Sequence, residues 1–192
     1  MVEIGILDLQ GDVKEHQNMV ITTLNKVGVT GNTHRIKTID DMKNCDGLII
    51  SGGESSTIGK LLLNTDLYDM IKNFKKPILG TCAGMVLLSK STGEEQPLLG
   101  LINMNIERNG FGRQKMSFEA DINIYDKIYH GIFIRAPYAK NIDENVEILS
   151  KYNDKIIAVK QNNCIATAFH PELVDDILIH EIFIKEVIKC VE

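Results

Sequence analysis

The chain lacks several features, and each absence excludes a class of protein. It has no excess of positive charge: 21 Lys and Arg stand against 26 Asp and Glu, for a net charge of −5. A phosphate backbone rewards clustered cations, so this balance argues against nucleic acid as the main partner. It has no long apolar run. The longest stretch free of charge, Pro77 to Ser89, covers 13 residues and contains Pro77, Gly80 and Gly84, whereas a bilayer span needs about 20 apolar residues. No basic segment leads into an apolar run after Met1, so no signal peptide is visible and a cytoplasmic location is expected. The four cysteines, Cys45, Cys82, Cys164 and Cys190, form no C-x-x-C pair, and no His-x-x-x-His accompanies them. That spacing speaks against structural zinc and for free thiols. Repeats, low-complexity tracts and Pro/Gly/Ser linkers are also missing, so residues 1–192 are expected to form a single domain.

What is present is an ordinary globular composition, 44% hydrophobic and 24% charged over 192 residues. A folded chain of this mass exposes roughly 9,000 Å². In the first half, apolar runs of strand length alternate with helical patterns. Val2 to Leu9 reads as a strand, Asp12 as the N-cap of a helix running to Val27, and His34 to Lys37 as a weaker strand. Gly47 to Ile50 reads as a buried strand, and Thr57 to Asn73 as a helix broken near Asn64-Thr65. Pro77 to Thr81 is a further strand, turning at Cys82 into a helix from Met85 to Ser89. Such βαβα order predicts an open, mostly parallel α/β sheet with helices on both faces, a three-layer, flavodoxin-like arrangement. The second half is strand-rich: Leu99–Glu107, Met116–Ile124, Ile132–Ile134, Val146–Tyr152, Ile156–Gln161 and Cys164–Phe169. Turns such as Asn153-Asp154 and Asn162-Asn163 predict hairpins, hence an antiparallel extension of the sheet. Asp175 to Val191 is a closing amphipathic helix.

The sharpest chemical signal is Gly80-Thr81-Cys82-Ala83-Gly84, a G-x-nucleophile-x-G elbow between a strand and a helix. A tight turn there strains the nucleophile's backbone, and the helix start offers free N–H groups that favour a thiolate. The Ala83 N–H is placed to stabilise an oxyanion. The pentapeptide alone equally fits a buried cysteine whose neighbouring glycines serve only packing. A thiolate needs a base, and five histidines are available. His170 ends an apolar strand and is followed by Pro171-Glu172, so Glu172, two residues on along an extended chain, can orient the imidazole. The plainer alternative is an incidental His-Pro-Glu at a strand end. His16 and His180 fall inside helices and read as solvent or interface residues; His34 and His130 have no motif around them. Gly52-Gly53-Glu54-Ser55 and Gln10-Gly11 follow two other strands, and in a parallel sheet such loops line one crevice with Cys82.

Taken together, these residues resemble the class I, triad-type glutamine amidotransferases, and among them the glutaminases of pyridoxal 5′-phosphate synthesis. The segments that carry the resemblance are Leu9-Gln10-Gly11-Asp12-Val13 with Glu15-His16, Gly52-Gly53-Glu54-Ser55, Gly80-Thr81-Cys82-Ala83-Gly84-Met85 and Glu107-Arg108-Asn109. They continue with Phe111-Gly112-Arg113-Gln114, Ser117-Phe118-Glu119-Ala120, Phe133-Ile134-Arg135-Ala136-Pro137 and Ala168-Phe169-His170-Pro171-Glu172-Leu173. The departures are Ser51 where the family usually has Pro, Ser56 where it has Thr, and Gly110 in place of a larger residue.

The resemblance implies Cys82 as nucleophile, His170 as general base and acid, and Glu172 as its orienting partner. It implies N–H groups of Gly53 and Ala83 as the oxyanion hole, with glutamine held by Gly53, Glu54, Ser55, Arg108, Ile134 and Arg135. No metal or organic cofactor is implied. The partner implied is the ammonia-consuming synthase subunit PdxS, in complexes of twelve plus twelve subunits, with Gln10 near the docking face. A glutaminase for another pathway, such as imidazole glycerol phosphate synthesis, would share the elbow and the His-Pro-Glu. A cysteine hydrolase or protease of similar fold fits the Gly-Gly-Glu-Ser loop and the two arginines less well. A regulatory module of the same fold need not keep all three triad residues.

Overall fold

The structure is a computed structural model and describes residues 1–111 and 117–191. Five parallel strands form its centre: β1 (Val2–Leu7), β2 (Gly31–Ile36), β3 (Gly47–Ile50), β4 (Ile78–Thr81) and β11 (Cys164–Thr167). They stand in the order β2-β1-β3-β4-β11. The sheet continues antiparallel through β10 (Lys155–Gln161), β8 (Tyr138–Ile142) and β5 (Met104–Glu107), with β9 (Glu147–Tyr152) paired to β10. A separate hairpin, β6 (Ser117–Ile124) and β7 (Lys127–Ile134), packs beside it. The mostly parallel α/β sheet with an antiparallel extension is the architecture expected.

Helices cover both faces, and the strand register shows which lies where. A side chain at Gly47 would run into Phe183 and Val187 of α6 (Leu178–Val191), whereas one at Gly80 would meet Leu88 of α5 (Ala83–Leu88). Gly80 pairs with Ile50, an odd number of residues from Gly47, so the two glycines face opposite sides. Helix α1 (Val13–Val27) packs on α6, while α3 (Ser55–Leu63) packs on α4 (Leu67–Lys72) and α5. The central strands β3, β4 and β11 are buried along their whole length, as a sheet covered on both faces requires.

Several boundaries differ from expectation. β2 begins three residues early, at Gly31, and α6 begins at Leu178 rather than Asp175. Leu99–Asn103 is irregular chain ahead of a short β5, and a short helix, α2 (Ile39–Met42), follows β2. Strand β8 has no counterpart in the sequence reading: its Lys140 and Asn141 are exposed and break the apolar pattern. The Asn153-Asp154 turn holds both residues at positive φ, 47° and 63°, the geometry that joins two strands tightly. Asp12 precedes α1, but its side chain caps nothing; it points instead toward His170.

Candidate active site

Four strand ends meet at the carboxyl edge of the parallel sheet. β1 leads to Gln10, β3 to Gly52-Gly53, β4 to Cys82 and β11 to His170. Cys82 has φ 49° and ψ −101°, a left-handed backbone that costs a non-glycine residue energy. Its N–H donates to Thr167 O at 2.8 Å, and its own carbonyl accepts from Val86 N, so the strand beside it and the helix after it hold the strain in place. Gly84 is forced by close approach: a Cβ there would stand 2.1 Å from Ile50 O. The elbow therefore exists because β3 backbone packs directly against the start of α5.

His170 is 4% exposed and Glu172 6%. The His170 N–H donates to Ile132 O at 2.9 Å, and the imidazole lies over Gly52, where a Cβ would meet the ring at 2.6 Å. Glu172 Oε1 stands 2.7 Å from His170 Nδ1. The backbone route between them corrects the sequence reading. Pro171–Leu173 is a 3-10 turn, so Glu172 folds back under His170 instead of following it along an extended chain. Pro171, at the first position of the turn, has its φ preset for that reversal.

With Nδ1 occupied by the carboxylate, Nε2 is left for the sulfur. Burial draws the His170 pKa down, but hydrogen bonding and charge from Cys82 and Glu172 outweigh it and carry it up to about 10. These interactions favour the protonated imidazole. Burial pushes the Cys45 thiol up to about 11 and the Cys164 thiol up to about 12.

A cavity of about 250 Å³ opens over Cys82 and is lined by Gly53, Glu54, Ser55, Ala83, Arg108, Ile134, Arg135 and His170. Each residue that the resemblance assigned to glutamine or to the oxyanion hole thus borders one space. Asp12, Val86, Asn109 and Pro137 line it too and were missed. Within the cavity, Arg108 is already engaged: it donates to Glu54 at 2.8 Å and to Glu94 at 2.7 Å. The Glu54 carboxylate also accepts from the N–H and hydroxyl of Ser56. Arg135, at φ 45°, makes no ion pair among the described residues. The Ser55 hydroxyl is turned to Gln96 Oε1 at 3.3 Å. Cys82 Sγ is 3.8 Å from Ile134 O, which ties the end of β7 to the sulfur. Behind Ile134, Phe133 stacks on Phe118 at 4.5 Å and meets Phe169 edge-on at 5.6 Å, anchoring the hairpin against the residue before His170.

Gln10 is exposed, and its side-chain oxygen accepts from Glu54 N at 2.9 Å, bracing the Gly52-Gly53 turn. The Ser51 hydroxyl donates to Gln10 O at 3.3 Å, a link that proline at this position cannot make. At Gly110 a Cβ would stand 2.1 Å from the Tyr138 ring, so a larger residue requires that ring elsewhere. Residues 112–114 of the Phe111–Gln114 segment lie outside the described residues.

Two histidines correct the sequence reading. His16 and His180 are fully buried rather than solvent-facing. They sit 3.0 Å apart (His16 Nδ1 to His180 Nε2), and His16 Nε2 is 3.1 Å from Thr81 Oγ1 and 3.3 Å from Glu172 Oε2. The signal was available: Val13, His16, Met19, Val20, Thr23 and Leu24 share the buried face of α1 at helical spacing. Among the described residues, one group of three possible metal ligands converges, Asp12, His170 and Glu172. His170 Nδ1 and Glu172 Oε1 there are spent on each other. No helix among the described residues is long and apolar enough to cross a membrane.

A strained cysteine at a strand-to-helix elbow, a histidine paired with a carboxylate and a cavity flanked by arginines thus meet at one edge of a doubly covered α/β sheet. The chain belongs to the SNO glutamine amidotransferase family, whose profile matches residues 6–189. It is 60% identical, over the full length of both chains, to the pyridoxal 5′-phosphate synthase subunit PdxT of Methanosphaera stadtmanae. To the subunit of the same name from Methanothermobacter thermautotrophicus it is 53% identical, again over both full lengths. A solved structure titled as a glutamine amidotransferase superposes with a TM-score of 0.87 at 36% identity, covering 96% of this chain and 98% of that one.

Proposed function

We propose that the Cys82 site performs the glutaminase half-reaction of a pyridoxal 5′-phosphate synthase. The chain hydrolyses L-glutamine to L-glutamate and ammonia, and the ammonia goes to a synthase subunit. The observation that carries this reading at the level of the site is that His170, its Nδ1 paired with Glu172 at 2.7 Å, borders the same cavity as Cys82.

Cys82 Sγ attacks the side-chain carbonyl carbon of glutamine, and the carbonyl oxygen takes up the electron pair as an oxyanion, held by the N–H groups of Ala83 and Gly53. His170 gives its Nε2 proton to the amide nitrogen. The C–N bond breaks, ammonia leaves, and a γ-glutamyl thioester remains on Cys82. His170, now neutral, takes a proton from water as the water oxygen attacks the thioester. The C–S bond breaks, releasing glutamate and restoring the thiolate beside the imidazolium. Glu172 keeps the imidazole in one orientation and stabilises its charged form throughout. Because Arg108 is neutralised by Glu54 and Glu94, Arg135 is the guanidinium we assign to the substrate α-carboxylate. The Glu54 carboxylate and the Ile134 carbonyl are acceptors suited to the α-ammonium.

Free ammonia is mostly ammonium near neutral pH and is then no nucleophile, so its release is useful when a synthase takes it up directly. We assign that partner to PdxS, in a complex of twelve plus twelve subunits, and place Gln10 at the docking face. Its bond to Glu54 N offers a lever on the Gly53 turn, so docking there can complete the oxyanion hole. The chain works in this reading as a single cytoplasmic domain. Glutamate release by the purified chain, with and without the synthase, for wild type and Cys82→Ala, tests all of this. Faster hydrolysis with the synthase and none in the variant are expected. Equal rates with and without the synthase remove the role of docking, and activity retained in Cys82→Ala removes the site.

A further inference from the structure

The hydrolysis mechanism uses one oxygen of Glu172 and leaves the other unexplained. Glu172 Oε2 is buried and makes no hydrogen bond of full geometry among the described residues, while His16 Nε2 stands 3.3 Å away. A buried carboxylate oxygen without a donor is costly and leaves the group free to rotate or to take a proton. His16 is in turn held by His180 from α6, and one atom of that pair, His180 Nδ1, has no partner.

That orphan atom settles the protons. Suppose His16 carried its hydrogen on Nδ1. His16 Nε2 would then turn a lone pair toward a carboxylate, and His180 Nδ1 would be a buried N–H with nothing to accept it. In the opposite arrangement His180 Nε2–H donates to His16 Nδ1, and His16 Nε2–H is shared between Thr81 Oγ1 and Glu172 Oε2. The atom left over is then a lone pair, the cheaper group to leave unpaired. Burial holds His16 well below the ordinary imidazole range and draws His180 down to about 3. The pair is therefore neutral, and it orients the carboxylate without competing with His170 for its charge.

We propose that His16, braced by His180, is a positioning residue that fixes Glu172 through Oε2 so that Oε1 stays on His170 Nδ1. This rests on the glutaminase reading of Cys82. The ionisable and charged groups around the carboxylate are His170 on its own turn, His16 and Asp12 at the start of α1, His180 on α6 and Tyr129 on β7.

The test measures glutamine hydrolysis by the full chain with its synthase. His16→Phe fills the space without a donor, and His16→Gln restores an N–H near the Nε2 position. We expect His16→Phe to lower kcat by roughly 10-fold with KM within about twofold, and to move the acid limb of the kcat/KM profile up by about one pH unit, as loss of one hydrogen bond to a charged group does. His16→Gln should recover most of both. His180→Leu keeps the donor but removes its brace; it should move the same limb part of the way, and it serves if His16→Phe does not fold. An unmoved acid limb in folded His16→Phe or His180→Leu overturns the proposal, as does a folded His16→Gln no better than His16→Phe. Activity in Cys82→Ala, run alongside, would instead overturn the underlying reading.

Discussion

Replacing Glu172 with Gln keeps the shape of the side chain and removes its charge, which isolates what the carboxylate does for His170. The imidazole is carried from 6.5 to about 10, which at 1.36 kcal/mol per pH unit is about 5 kcal/mol in favour of its charged form. That is net of the burial cost and is supplied by the Cys82 sulfur and the Glu172 carboxylate together; for the carboxylate's own hydrogen bond to the charged imidazole about 2 kcal/mol is taken, within the range of about 1.5–3 kcal/mol for a hydrogen bond to a charged group. A loss of this size predicts a kcat lower by roughly 30-fold, with KM for glutamine little changed, because Glu172 does not line the cavity. The His170 pKa should also fall, bringing the alkaline limb of the rate profile to lower pH. Glutamate release coupled to glutamate dehydrogenase, with the synthase present and folding checked by thermal melting, measures both effects. A folded Glu172→Gln chain whose kcat stays within threefold of wild type would refute the reasoning.

Three further outcomes follow from other parts of the structure. Arg135→Met should raise KM for glutamine at least roughly 10-fold with a smaller effect on kcat, since a charge-assisted contact to carboxylate is worth about 1.5–3 kcal/mol; a glutamine titration reads this, and an unchanged KM removes Arg135 from the α-carboxylate. Gly84→Ala drives a Cβ to 2.1 Å from Ile50 O and should destabilise by at least about 2 kcal/mol, or about 5 °C in melting temperature; an unchanged melting point contradicts the packing argument. Finally, His16 and His180 are held below 6.5 when folded, so the unfolded chain binds their protons first as pH drops. The stability of this neutral pair is complete above about pH 6.5 and falls away below it; His180, drawn down to about 3, alone accounts for a loss of about 3 kcal/mol by pH 4. Urea melts at pH 7 and pH 4 should show this acid loss shrinking in His180→Phe.

The parallel half of the fold and the elbow were legible because their signals are local. Apolar runs, glycines and a cysteine sit within a few residues of one another in the order that a strand, a tight turn and a helix require. His170 and Glu172 were legible as partners, but not the 3-10 turn that joins them, because a two-residue spacing fits either an extended chain or a turn. His16 was misread although its helical spacing with Val13, Val20 and Leu24 marks a buried face; what that face meets was not legible, because the contact with His180 joins α1 to α6 across 164 positions. Strand β8 was missed because it pairs at both edges in an antiparallel sheet whose outer face tolerates Lys140 and Asn141. The pairing of Arg108 with Glu94 and Glu54 joins three separate segments, so the choice of Arg135 as the available cation needed coordinates.

The account stands on Cys82 being the nucleophile toward a glutamine side chain, and covalent trapping tests that most directly. The complex is treated with a diazo-ketone analogue of glutamine, digested, and the modified peptide located by mass. One label per chain on Cys82, with a rate that glutamine slows, is the predicted result. Modification of Cys45, Cys164 or Cys190 instead, or labelling of Cys82 that saturating glutamine does not slow, would contradict it.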